Sequence, residues 1–73
     1  MFDSKKFAAS VRAERARVGL TQQQFADRLN VTVATISNWE SGNSIPSMST
    51  FFNMCEVLDC EPDTLYAWKQ EVS

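Results

Sequence analysis

The side chains in this chain that could do covalent chemistry are few and poorly placed for it. Two cysteines, Cys55 and Cys60, supply the thiols, and there is no histidine to serve as a base. Cys55 falls on the apolar stripe of a helical segment, where burial would leave a thiol inert. The two lie five residues apart around the end of that segment, so their side chains are expected to point in different directions. They read as two small buried apolar groups kept reduced. Without His or a third Cys the ligand count for a metal fails. There is also no glycine-rich phosphate loop and no nucleophile with a base beside it. No catalytic residue, metal, cofactor or small-molecule substrate is therefore expected. What remains is contact chemistry, carried by amides, hydroxyls and arginines.

The elements that must hold those groups can be read from the punctuation. From Ser4 to Val18 the apolar residues Phe7, Val11 and Val18, with small Ala8, recur at helical steps. Gly19 then stands where a left-handed C-terminal cap belongs. Thr21-Gln22-Gln23-Gln24 is a capping box, in which Thr21 takes an orphan N–H and Gln24 reaches back. It opens a second helix over 22–29 that turns Phe25, Ala26 and Leu29 inward. After the short Asn30-Val31 link, Thr32 caps a third helix over 33–41 with Ile36 and Trp39 inward and Val33 beside them. Gly42 ends it, and Asn43-Ser44-Ile45-Pro46 is loop. Ser47 caps a fourth helix over 48–58 with the stripe Met48, Phe51, Met54, Cys55 and Leu58. Asp59 follows at its C-terminal turn. Pro62 suits the first turn of a fifth helix, over 62–69, that carries Leu65 and Tyr66. No strand is expected. The second and third helices are so short and so tightly linked that they must cross steeply, forming a helix-turn-helix unit over about 21–41. One face of the third helix is left free.

The stretch from Arg15 to Leu65, with Gly-Leu-Thr-Gln, Phe-Ala, Val31, Ile-Ser, Trp-Glu, Gly42 and Pro46 in register, resembles the Cro/repressor-type helix-turn-helix domains of the lambda-repressor-like fold. That resemblance implies an all-α five-helix bundle whose third helix enters the major groove of double-stranded DNA. By position it puts Val33, Ala34, Thr35 and Asn38 at base-facing sites and Gln22 at the start of the second helix. It puts Asn43 and Ser44 in a loop that approaches phosphate, and it makes Arg15 and Glu40 an internal ion pair. The sequence departs from the pattern in four ways. The third helix carries no Arg or Lys on its free face, and the loop before Pro46 has no basic residue. Asp59 stands for a usual glycine, and Glu61 for a usual Ser or Thr cap.

Each of these side chains has a bland role beside the sharp one. Asn38 can pair bidentately with adenine, or remain a solvated amide. Val33 and Ala34 can pack on thymine methyls, or contribute to the core. Thr35 and Ser37 can donate to a base or a phosphate, or to water. Gln22 is expected near phosphate because helix N-termini expose N–H groups. Arg12, Arg17 and Arg28 either meet phosphate, Arg12 and Arg17 foremost, or solubilise the surface. Arg15 and Glu40 are read as structural, fixing how two helices meet. Trp68 lies past the last matching core position, and either faces a partner or packs on its own helix.

Seventy-three residues support one modest core and one domain. No apolar run approaches the length needed to span a bilayer, and Lys5 and Lys6 lead into a helical pattern rather than a signal peptide. A cytoplasmic protein without membrane contact is expected. The net charge of −2 is unusual for a DNA-binding domain, but it is unevenly spread. Residues 1–30 carry six basic and three acidic side chains; residues 31–73 carry Lys69 against six acidic ones. A basic end can thus meet phosphates while the acidic end turns away. The expected function is a transcriptional repressor that binds palindromic, A·T-rich half-sites as a homodimer. The alternative is a protein-interaction module on the same fold that uses its acidic half.

Overall fold

The computed structural model describes residues 3–66, and among these the ordered structure is entirely helical. Five helices follow in chain order: α1 (Ser4–Arg17), α2 (Gln22–Leu29), α3 (Val33–Ser41), α4 (Met48–Leu58) and α5 (Pro62–Tyr66). The expected extension of the last helix to residue 69, and Trp68 with it, lie outside the described residues.

Each of the first four helices starts on a side-chain cap. The Asp3 carboxylate accepts from the N–H groups of Lys5 and Lys6 at the head of α1. At α2 the Thr21–Gln24 capping box is complete, at 3.0 Å and 2.9 Å. Thr32 and Ser47 accept from the N–H groups of Thr35 and Thr50 at α3 and α4. Such caps are worth about 1 kcal/mol each, which matters for helices this short.

The same four helices end alike. A residue in the left-handed region follows each one: Gly19, Asn30, Gly42 and Asp59. The residue after it donates its N–H back to a carbonyl five positions earlier, so Leu20 meets Arg15, Val31 meets Ala26, Asn43 meets Asn38 and Cys60 meets Cys55, all at 3.0–3.1 Å. This closes the orphan carbonyls and sets the sixth residue of the motif beside the first. At α4 it corrects an expectation. Cys60 does not point away from Cys55; the turn at Asp59 folds it back, its N–H meeting the Cys55 carbonyl, until each thiol affects the other's ionisation. Both remain free thiols. Burial pushes the Cys55 thiol up, and it pushes Cys60 up to about 11 from an ordinary 9.0.

The core gathers Phe7 and Val11 from α1, Phe25 and Ala26 from α2, Ile36 and Trp39 from α3, Met54, Cys55 and Leu58 from α4, and Leu65 from α5. Fully burying a large apolar side chain contributes about 1.5–3 kcal/mol, so these few residues dominate the stability. Phe51 sits at the edge, its ring 6.1 Å from that of Phe7 and 5.4 Å, edge-on, from that of Phe52. One residue assigned an inward position, Met48, lies outside the core, and Val33, left open between core and free face, falls on the free face. Met48 is 75% exposed, because it opens α4 one turn before that helix reaches the body of the bundle. Val33 is 39% exposed at the corresponding place on α3.

The packing of α1 on α3 sets the site. The first turn of α1 lies on the end of α3, where a Cβ built on Gly42 would come 3.6 Å from the Ser4 carbonyl oxygen and 3.7 Å from Lys5 Cγ. About two turns further along α1, Arg12 donates to the backbone carbonyl of Glu40. Arg15 then reaches the Glu40 side chain.

Candidate nucleic-acid interface

The interface is built outward from one buried carboxylate. Glu40 is 4% exposed and no buried side-chain polar atom among the described residues lacks a partner. Its Oε2 accepts from Arg15 Nε at 2.7 Å, and its Oε1 accepts from Arg15 Nη2 at 3.1 Å. This two-pronged geometry suits a guanidinium fork, and a charged pair of this kind is short and strong. Arg15 also donates from Nη1 to the Leu20 carbonyl at 2.9 Å. The Arg15 pKa is raised above its ordinary value, chiefly by the hydrogen bond to Glu40 and against the effect of burial. A third donor completes the carboxylate: Gln22 Nε2 reaches Oε1 at 3.0 Å. One side chain of α3 is thereby tied to α1 and to the first residue of α2, which fixes the crossing of the helix-turn-helix.

On the far side of α3 the chain is open. Val33, Ala34, Ser37 and Asn38 are all exposed, while Ile36, Trp39 and Glu40 between and beyond them are buried. Positions 33, 34, 37 and 38 share a helix face because 3.6 residues make a turn. Thr35 stands apart: it is half-buried, and its hydroxyl hydrogen-bonds the Thr32 hydroxyl at 2.9 Å. Asn43 and Ser44 are exposed. Their N–H groups both turn back to the Asn38 carbonyl, at 3.0 Å and 3.4 Å, so the loop starts beside the amide on the open face.

The arginines are less available than their charge suggests. Arg12 is exposed yet donates to the Glu40 carbonyl. Arg17 pairs with Glu14 at 2.7 Å and donates to the Leu58 carbonyl at 2.6 Å, capping the end of α4. Arg28 is exposed in the last turn of α2. Arg12, Arg17 and Arg28 therefore form no continuous positive rim beside α3, since Arg17 is committed to the α4–α5 corner. The hydrogen bond between Gln22 and Glu40, and the capping role of Arg17, were missed in the sequence because each partner is distant along the chain. The left-handed turn at Asn30 did have a local signal, since Asn adopts that conformation more readily than most residues.

Chemically, the open face offers one amide, two small apolar groups and one hydroxyl. It holds no charge and no nucleophile. A flat, neutral helix face with hydrogen-bonding loops at its ends suits a polar groove wall better than it suits a reaction.

Comparison with known proteins agrees with this geometry. The helix-turn-helix family model matches residues 11–65. Over 52 residues, 71% of this chain and 38% of the relative, the sequence is 33% identical to the HTH-type transcriptional regulator DicA of Escherichia coli (strain K12). It is 34% identical over 55 residues to the uncharacterised HTH-type transcriptional regulator YazB of Bacillus subtilis (strain 168), covering 75% of this chain and 80% of that one. The chain thus spans well under half of DicA and most of YazB. Among solved structures it is similar to the restriction-modification controller protein C.AhdI from Aeromonas hydrophila, with a TM-score of 0.81 and 26% identity, over 88% of this chain and 97% of that one. With the matched region running from the middle of α1 to Leu65, and α2–α3 at its centre, the chain belongs to the helix-turn-helix family of DNA-binding transcriptional regulators.

Proposed function

We propose that this chain is a transcriptional repressor that reads DNA through the open face of α3, acting in the cytoplasm as a homodimer on a palindromic operator. The observation that supports this best is the division of α3 itself. Glu40 and its three donors lock one side of the helix into the body, and Val33, Ala34, Ser37 and Asn38 are left exposed together on the other. In this reading Asn38 pairs with adenine, Val33 and Ala34 lie against thymine methyls, and Thr35 reaches a base edge by exchanging its bond to Thr32. Phosphates are met by Ser37, Asn43 and Ser44, and by Gln22 through its N–H at the start of α2 and the amide N–H that Glu40 leaves over. Arg12 and Arg17 join them with the guanidinium N–H groups that their backbone-carbonyl bonds leave over, which narrows where they can reach.

The absence of Arg and Lys on this face favours A·T-rich half-sites, because guanine is most often read by arginine. Dimerisation follows from the small number of contacts. One such module presents few readers, and two on symmetric half-sites bring the affinity an operator needs. Selection of bound sequences from a random DNA pool tests the proposal. A palindrome with A·T pairs opposite α3 is expected. If neither the chain nor a tethered dimer enriches any sequence, the fold serves as a protein-interaction module instead.

A further inference from the structure

We infer that Lys5, from the first turn of α1, supplies the phosphate-binding cation that the loop after α3 lacks. The inference rests on the reading of α3 as the DNA-facing helix and extends it to a residue in another element. The loop Gly42-Asn43-Ser44-Ile45-Pro46-Ser47 carries no charge, although it flanks the open face. Arg17 is held at the end of α4, and Arg12 is tethered through one N–H to the Glu40 carbonyl, so neither is anchored at the loop. Lys5 is differently placed. Its Cα and Cγ lie 3.8 Å and 3.7 Å from the position of a Cβ on Gly42, the residue where the loop begins. The lysine stem thus lies against that glycine, with two methylenes and the ammonium still to come beyond Cγ.

Lys5 is exposed, and its side chain forms no ion pair among the described residues. The nearest acid along the chain, Asp3, is turned to the N–H groups of Lys5 and Lys6 at the helix head. A flexible, strongly hydrated ammonium is suited to a phosphate as a point charge and needs no fixed geometry. Packing of α1 on the end of α3 thus anchors the stem of a flexible cation at Gly42, the residue from which the Asn43–Ser44 loop departs. The charge that the loop omits in sequence is restored in space.

The test is a fluorescence-anisotropy titration of the whole chain on its selected operator and on unrelated duplexes, at several salt concentrations. Lys5→Ala, Lys5→Arg and Lys6→Ala are compared with the wild type. Loss of one phosphate contact should lower the steepness of log K against log salt by about 0.9 and weaken binding about fivefold near 0.15 M salt. The loss should be equal on every sequence, as expected of a backbone contact. Lys5→Arg should restore both values. Lys6→Ala removes the same charge one position round the helix and should change the slope far less. Equal effects of Lys5→Ala and Lys6→Ala would reduce the result to net charge and overturn the inference. So would a wild-type-like slope in Lys5→Ala while the wild type binds its operator. If the wild type itself shows no specific binding, the reading of α3 fails first and the inference with it.

Discussion

At the scale of residues, the molecule separates groups that hold from groups that are free. Glu40 holds: it is buried, and both of its oxygens are occupied by Arg15, with Gln22 as a third donor. Glu40→Ala should cost about 3 kcal/mol of unfolding free energy in a urea titration, because it strands a guanidinium and an amide together. The figure lies at the low end for a buried pair because the Arg15 side chain is 20% exposed and partly solvated. A loss below about 1 kcal/mol would mark the pair as an ordinary surface contact. The thiols give a second test. Cys60 titrates near 11 in the folded chain against an ordinary 9.0, since burial disfavours its thiolate. Below pH 9 both states keep the proton and stability is unaffected by it. Between pH 9 and 11 the unfolded thiol loses its proton first, so stability must fall as pH rises through that window. Cys60→Ser should flatten this fall in melts taken from pH 8 to 11. A slope identical to wild type would contradict the assigned shift.

At the scale of elements, the helices were legible because their ends are written in local chemistry. Thr21, Thr32 and Ser47 cap helices where hydroxyls precede apolar periodicity, and Gly19 and Gly42 stop them. The one side chain misplaced in the core has a simple cause. Met48 begins its helix, and the first turn of a helix can overhang the core even when the periodicity points inward. Likewise the meeting of Cys55 with Cys60 depends on a left-handed Asp59, which converts a continuing spiral into a reversal. The open face of α3 was legible from the spacing of Ile36 and Trp39, whose burial leaves the opposite positions outside. The commitments of Gln22 and Arg17 were not, since they depend on how helices cross. The left-handed turns make a paired prediction. Asp59→Gly should stabilise the chain by about 0.5–1 kcal/mol, relieving an L-residue at φ 51°. Gly42→Ala should destabilise by about 1–2 kcal/mol. Its new Cβ would meet α1 at ordinary contact distances, so the cost is the φ of 83° rather than a clash. Chemical denaturation of both variants checks the pair, and a stabilised Gly42→Ala would refute the account of these turns.

At the scale of the whole molecule, a net charge of −2 and a neutral recognition helix point to modest phosphate engagement. With about 3–5 contacts per protomer, the log–log salt slope should be about −3 to −5 for each protomer bound. A flat response would show that the bound surface is not the DNA backbone. On the proposed reading, the uneven distribution of charge would turn the basic α1–α2 region toward the duplex and the acidic α4–α5 end away from it. On that reading positioning would be shared among α1, α2 and the loop after α3, and base choice left to α3. The measurement that bears most directly on this division is a complete base-substitution binding matrix, taken at one fixed salt concentration, for the wild type and for Asn38→Ala. The account predicts A·T pairs opposite Val33, Ala34 and Asn38. It also predicts a loss of about 1–3 kcal/mol confined to a single base pair in Asn38→Ala, with discrimination relaxed there and intact elsewhere. A guanine required opposite α3, or an Asn38→Ala matrix identical to wild type, would contradict it.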